Sequence, residues 1–505
     1  MQLARRKNTL IFILIFLLGA SIRLVNLNCC PGFERDEGFY CDVAENFVNG
    51  KFMTLSFHFE PRLNLPTDVQ PQYMFYNMPL WFILVAISFS LFGVGVFQAR
   101  IISVLFAMLT AALVFRFGKE LYSEKTGFLA MLIYSLDFYA VYIGRLAEHD
   151  NVEAFFVILS VYLWYQASKK KNNKFYLTLS GFAAGLAILS KIIGLITLGI
   201  ILGLTIVHFI QKRDVKQQII EFALPTISCV AVVIPYIIIA YSIAGDIFFT
   251  QTVYQFYHGP GQNYILASAP RFLTFARNNL LFFIAGTGFL YMCLKRDESD
   301  LFMIVWLFVL FIFFVNCRLI FLRYIAPMYA PMSVSSSRLL SGTYHTLILE
   351  IEGRFNQLFY ILQSPLSLIV ILTYLFSIVA FAVSTEKVYS LLCHPNCELY
   401  EVADYLDTNV PIGAKIVGQP AISFISKNHT LYALDHIMMH HKGGNHYNIN
   451  YQRIQKLPVE YIILDSFYKS TPGISPDLER FLEDYCIIEI QFENTEIYRV
   501  ISYNF

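Results

Sequence analysis

The sequence predicts an α-helical polytopic membrane protein of about eleven transmembrane helices with a small α/β domain at its C-terminal end. Three observations carry that expectation. The 505 residues are 56% hydrophobic and only 14% charged, with a mean hydropathy of +0.55, whereas an ordinary soluble domain is nearer one quarter charged. Apolar runs of spanning length recur over the first 385 residues or so and are separated by short basic clusters. From about residue 390 the pattern changes to mixed helix and strand signals. With 37 basic residues against 36 acidic, the chain has no field that would attract nucleic acid, and that class is set aside.

The first run, within "MQLARRKNTLIFILIFLLGASIRLVNLN", has a basic start, but no small-residue cleavage site follows cleanly, so it reads as a retained transmembrane helix. Further crossings are expected near residues 97–120, 126–145, 150–168, 175–189, 191–210, 218–242, 276–294, 301–319, 322–341 and 361–383. An odd number of crossings that begins inside puts "ARRK", "SKKKNNK", "QKRDVK" and "KRDESD" all in the cytoplasm. The stretch "MPLWFILVAISFSLFG" would invert every later loop if it crossed, so it is expected to lie along or partly enter the outer leaflet.

This topology sends three segments outward: a first loop at 28–96, the turn "RLAEHDN", and a tail domain at 386–505 beyond a membrane domain at 1–385. In the tail, "CELYEVADYLDTNVPIGAKIVGQPAISFISKNHTLYAL" reads as a helix, a Pro-Gly turn, a buried strand and a second helix. "VEYIILDSF" and "CIIEIQFENTEIYRVI" read as further strands.

Chemistry concentrates in the outward acidic stretches. "ERDEGFY" holds Arg35, Asp36 and Glu37, and "RLAEHDN" holds Arg145, Glu148, His149 and Asp150. Carboxylates from two distant loops on one membrane face suit general-base work on a hydroxyl. The set Asp36, Glu37 and Asp150 would also suit Mg2+ or Mn2+, which favour hard oxygen ligands. A transporter would more often keep its acids at mid-span. Arg35, Arg145, Lys191 and Arg323 are the candidate cations for an anionic group, and snorkelling is the alternative reading of each. "FYHGPGQNY" carries His258 and Tyr264 and reads as a lid or as a plain connector.

Nine cysteines are present, and Cys29, Cys30, Cys41, Cys393, Cys397 and Cys486 fall outside, where disulfides are permitted. "CHPNC" could also suggest a metal. "DHIMMHH" has His436 and His440 four apart, a helical spacing that suits either a metal pair or surface histidines, and "NHT" is a glycosylation tripeptide.

The residues "DEGFYCDVA", "MPLW", "FQARIISVLFAMLTAALVFRFGKELYSEKTGFLAMLIYSL", "GRLAEHDN" and "GLAILSKIIGL" together resemble the GT-C glycosyltransferases that use polyprenyl-phosphate sugars. The pattern is most similar to the branch of protein O-mannosyltransferases and aminoarabinose transferases. The resemblance covers roughly residues 8 to 210 and hardly touches the tail. It implies a GT-C fold and a multi-pass cell-membrane enzyme with an extracytoplasmic site. The implied reaction is sugar transfer, hexosyl or pentosyl, from a polyprenyl-phosphate-linked donor to a hydroxyl of a protein, lipid or glycan, with inversion. Within it, Asp36 matches the catalytic carboxylate with Glu37 beside it, and Asp150 matches a second outer-loop aspartate with Arg145 five residues before it. Arg145, Lys191 and Arg323 are then expected to meet the donor phosphate, and Tyr40, Asn77, His258 and Tyr264 the substrates. The family often has His or Lys before its "PL" pair, where this chain has Tyr76, Asn77 and Met78. The rival function is a transporter or flippase of lipid-linked saccharides.

Overall fold

The computed structural model describes residues 2–57, 72–75, 77–170, 173–212, 214–258, 269–317, 322–353, 365–394, 396–433, 438–440, 447–449, 459–465 and 476–501. The chain divides into two compact units: Met1–Val25, Tyr76–Trp81 and Ile101–Cys393 form one, and Asn26–Phe75, Phe82–Arg100 and His394–Phe505 form the other. The first outward loop therefore groups with the tail rather than with the helical body, and the last helix of the body continues to Cys393, past the expected boundary at 385.

The helices in chain order are α1 (Gln2–Leu24), α2 (Arg35–Val48), α3 (Pro79–Phe92), α4 (Val96–Leu121), α5 (Glu124–Leu136), α6 (Phe138–Ile143), α7 (Asp150–Lys169) and α8 (Lys174–Ser190). A 3₁₀ turn at Ile192–Leu195 leads into α9 (Ile196–Lys212), followed by α10 (Val215–Ala244), α11 (Asp246–His258), α12 (Ala269–Asn278), α13 (Leu280–Lys295) and α14 (Glu298–Val315). A second 3₁₀ turn, Leu322–Ile325, precedes α15 (Ala326–Gly353), and α16 (Pro365–Cys393) closes the helical body. Each expected crossing falls on one of these helices or on a consecutive pair. Among the described residues, five segments are long and apolar enough to cross a membrane: Arg6–Leu24, Val96–Leu121, Ile192–Gln211, Val215–Ala244 and Glu298–Val315. Helix α3 has 14 residues and so reaches about 21 Å, short of the roughly 30 Å of hydrocarbon.

One expected crossing, 126–145, is broken. Helix α5 ends at Leu136, and Asp137 starts α6 by accepting a hydrogen bond from the Ala140 amide at 2.9 Å. The break leaves backbone groups without partners inside either helix. Ser384 on α16 serves two of them, donating to the Leu136 carbonyl at 2.9 Å and accepting from the Phe138 amide at 2.8 Å. Helices α8 and α10 approach closely because Gly181 and Gly185 lie one turn apart. A Cβ at Gly181 would stand 2.1 Å from the Pro225 carbonyl oxygen, and one at Gly185 would stand 2.6 Å from the Val232 side chain.

In the other unit, strands β1 (Thr54–Leu55) and β2 (Gln72–Tyr73) pair antiparallel in the first loop. The tail comprises α17 (Glu398–Asn409), β3 (Lys415–Gly418), α18 (Pro420–Ile425), β4 (Thr430–Ala433), β5 (Met438–His440), β6 (Tyr447–Ile449), β7 (Tyr461–Leu464), α19 (Pro476–Tyr485), β8 (Cys486–Gln491) and β9 (Glu496–Val500). Its main sheet runs β4-β3-β7-β9-β8, with β3 parallel to β4 and β7, and β9 antiparallel to β7 and β8. Val417, Ile462 and Leu464 of the sheet bury against Leu478 and Phe481 of α19, so the tail has its own core. His440 lies on strand β5 paired with β6 rather than on a helix; His436 and His441 are outside the described residues. One disulfide, Cys29–Cys397, joins the first loop to the start of the tail.

Candidate active site

Asp36 and Glu37 occupy the first turn of α2, where the helix macrodipole favours negative charge. The helix start is a capping box: the Glu34 side chain accepts from the Glu37 amide, and Glu37 Oε2 accepts from the Glu34 amide at 2.9 Å. Asp36 and Tyr40 are half-buried. Glu37 is fully buried, and Arg100 grips it as a fork, with Nε donating to Oε1 at 2.8 Å and Nη2 to Oε2 at 2.6 Å. The rest of the Arg100 guanidinium donates to the carbonyls of Leu27 at 2.7 Å, Pro31 at 2.8 Å and Gly32 at 3.0 Å. Arg100 thus fixes the loop that enters α2 and leaves Glu37 no open edge.

The same helix has a second anchor. Asp42 accepts from the Ser56 amide at 2.7 Å, and Asn46, one turn on, donates to the Thr54 carbonyl at 2.9 Å, so α2 holds β1. Burial pushes the Asp42 carboxyl up to about 6, against the opposing hydrogen bond from Ser56. On another face, α18 seats against α2 at Gly38, where an added Cβ would lie 2.4 Å from the Ala421 backbone. Phe89 stacks on Phe424 of α18 and Phe33 packs tilted against the same ring, and Lys427 pairs with Glu45 at 2.5 Å. The tail is therefore built onto the helix that carries Asp36.

The helical body carries the second acidic stretch. Asp150 opens α7 and accepts from Lys191 Nζ at 2.6 Å, with the aspartate 2% and the lysine 12% exposed. Lys191 sits in the expected break between α8 and the 3₁₀ turn, in extended backbone at φ −157°. Arg323, in the second 3₁₀ turn, pairs with Glu148. Tyr324 lies by both cations, its ring centroid 3.8 Å from Lys191 Nζ and 5.7 Å from the Arg323 guanidinium. The turn that carries Glu148 is fixed by Ser103, which donates to the Glu148 carbonyl at 3.2 Å, and His149 packs on Trp81 with centroids 5.1 Å apart. Glu153, one turn along α7 from Asp150, is fully buried with neither carboxylate oxygen hydrogen-bonded.

Of the expected phosphate contacts, Lys191 and Arg323 come together around Tyr324, while Arg145 does something else. It is fully buried and donates to the carbonyls of Ile22 at 2.6 Å and Val25 at 2.5 Å, which closes the C-terminal end of α1. Asn77 is buried in the helical body. His258 ends α11 with its side chain outside the described residues, and Tyr264 lies outside them altogether. Glu37 does not fit the expected metal set, since both its oxygens face Arg100, and Asp150 is held by Lys191. Among the described residues no group of three or more His, Cys, Asp or Glu gathers as a metal would need. Arg100 and Arg23 are site builders with no local signal in the sequence; Arg23 is fully buried on α1 and donates to the Ser135 carbonyl at 3.0 Å.

Residues 76–252 match the family model described as dolichyl-phosphate-mannose-protein mannosyltransferase. An uncharacterized protein of Aquifex aeolicus is 26% identical over 344 residues, 66% of this chain and 64% of its own length. The undecaprenyl phosphate-alpha-4-amino-4-deoxy-L-arabinose arabinosyl transferase of Wigglesworthia glossinidia brevipalpis is 25% identical over 205 residues, 39% of this chain and 34% of its own. The chain thus spans less than two thirds of either curated relative. Among solved structures, ArnT from Cupriavidus metallidurans bound to undecaprenyl phosphate aligns with a TM-score of 0.66 at 13% identity, over 96% of this chain and 97% of that one. The oligosaccharyltransferase AglB from Archaeoglobus fulgidus, in complex with an inhibitory peptide and a dolichol-phosphate, aligns at 0.63 with 14% identity, over 93% of this chain and 70% of that one. The chain has the GT-C fold, and it resembles the polyprenyl-phosphate-sugar glycosyltransferases of that superfamily in the branch of protein O-mannosyltransferases and aminoarabinose transferases.

Proposed function

We propose that the chain is a membrane glycosyltransferase that moves a sugar from a polyprenyl-phosphate donor to an acceptor hydroxyl on the extracytoplasmic face, with inversion at the anomeric carbon. The observation that carries this reading is the arrangement of Lys191 and Arg323 around Tyr324, each held by a carboxylate on the turn that opens α7. Two such cations are what a departing phosphate needs. The ligands in the ArnT and AglB structures, undecaprenyl phosphate and a dolichol-phosphate, support a polyprenyl phosphate as the donor's carrier.

In this reading the acceptor oxygen attacks the anomeric carbon as the bond from that carbon to the phosphate oxygen breaks. The hydroxyl proton passes to Asp36, and the electron pair leaves with the polyprenyl phosphate, whose charge Lys191 and Arg323 meet. Asp150 orients Lys191. Glu37 acts through Arg100, holding the first turn of α2 in place, and Arg145 fastens α1. The disulfide Cys29–Cys397 supports an oxidising side for the first loop and the tail.

The test is transfer of radiolabelled sugar from a panel of polyprenyl-phosphate donors by membranes holding equal folded amounts of wild type, Asp36→Asn and Lys191→Gln. Transfer by wild type that both variants lose, with the product in the opposite anomeric form to the donor, is the expected result. Undiminished transfer by Asp36→Asn would remove it as the base, and a retained anomer would remove direct displacement.

A further inference from the structure

Within the helical body, away from Lys191 and Arg323, lies a cavity of about 170 Å³ walled by α5, α6, α13, α15 and α16. Its lining is graded. At the break between α5 and α6 it is polar: Asp137 and Asn279 line it there, and Lys387 stands 5.8 Å from the Phe138 ring centroid at the same level, three residues beyond the Ser384 that grips the break. Toward Leu129, eight residues back along α5 and so about 12 Å deeper, the walls are leucine and isoleucine, joined by Leu340 of α15. Part way down, Ser336 lines the cavity, fully buried and with its hydroxyl lacking any hydrogen-bond partner. A polar group left so in an apolar setting costs free energy that a ligand oxygen would recover.

We propose that this cavity binds one acyl chain of a membrane phospholipid with a primary ammonium headgroup, as in phosphatidylethanolamine. The hydrocarbon fills the leucine-lined end, an ester oxygen accepts from Ser336, and the rim offers opposite charges to a zwitterion. Lys387 meets the phosphate, and Asp137 meets the ammonium. An anionic headgroup would set its phosphate against Asp137 with no ammonium to offset the repulsion. The cavity's volume is close to that of an engineered apolar cavity that admits a small hydrocarbon, so a single chain segment fits where a bulkier ligand does not. The inference is independent of the catalytic reading.

The experiment uses the full chain in phosphatidylcholine nanodiscs doped with a phosphatidylethanolamine that carries a photoreactive group on its acyl chain. Label is expected in the peptides spanning 129–139 and 377–387, and it is expected to vanish from them in Leu132→Trp while labelling elsewhere on the chain persists. Lys387→Gln, a change at a partly exposed position, keeps the test open if the tryptophan variant fails to fold, and it too should weaken the label. Equal labelling by a phosphatidylglycerol probe overturns the headgroup assignment. Absence of label from both peptides, label unchanged in both variants, or its loss on adding an unlabelled polyprenyl phosphate overturns the site.

Discussion

Arg100 and Lys191 are both cations paired with carboxylates, in different units of the chain, and they are built for opposite purposes. The Arg100 guanidinium is fully buried and saturated by Glu37 and a row of loop carbonyls. Among the described residues, the Lys191 ammonium makes a single hydrogen bond, to Asp150, with an aromatic face beside it and some exposure. A saturated buried pair holds geometry and has nothing left for a ligand, whereas an ammonium with two unused donors can take an incoming oxygen without being torn from its partner.

Removing Arg100 breaks this comparison most severely. Arg100→Met leaves the Glu37 carboxylate buried without a cation and is expected to destabilise the protein by about 3–5 kcal/mol, read as loss of folded protein in thermal unfolding. Near-native stability would falsify the idea that this pair holds the loop.

Asp42 sharpens the contrast, because it is a buried carboxyl on the same helix without an arginine. Its ordinary value of 3.8 is raised to about 6 in the fold by burial. Between those values the folded chain keeps a proton that the unfolded chain has released. Stability should therefore fall as pH rises from about 4 to 6 and level off above, by about 3 kcal/mol at most. Asp42→Asn should flatten that part of the stability curve; a curve of unchanged slope would count against it.

For Lys191→Gln the expected effect is on turnover, a drop of about 10²-fold, with Asp150→Asn weaker because the lysine remains. The reverse order, with Asp150→Asn the more damaging, would make the aspartate rather than the lysine the acting group. The smallest effect is that of Gly38→Ala. Its Cβ meets the Ala421 backbone at 2.4 Å, and α2 and α18 must separate slightly, at a cost of about 1–3 kcal/mol, measured as a lowered midpoint in thermal unfolding.

Hydropathy and basic clusters were enough to find the helices, because a span is a local property of composition. Part of the strand and helix order of the tail was legible for the same reason, through the short apolar run "YIIL" and the helical spacing in "ELYEVADYL", while α19, β5 and β6 gave no such signal. The acidic stretches stood out against apolar neighbours. What stayed hidden was long-range pairing. Arg100 reads in "FQARIISV" as one more basic residue near a helix end, and nothing local joins it to a glutamate 63 residues earlier. Arg145 precedes Asp150 by five residues, which the resemblance links to a phosphate, and nothing local signals that two of its donors reach carbonyls at the end of α1. The break at Asp137 was invisible because the run is apolar on both sides and the serine that makes the break tolerable lies on α16.

The disulfide joins Cys29 to Cys397 across a sequence separation of 368, and nearly the whole helical body lies inside that ring. At translation rates of about 5–20 residues per second, the tail cysteine follows its partner by roughly 20–70 s. Throughout that interval Cys29 is an unpaired thiol beside Cys30, with Cys41 close behind in sequence. Assembly of this protein is thus a matter of timing: Cys29 must be kept from the wrong neighbour until the last helix of the body has been made.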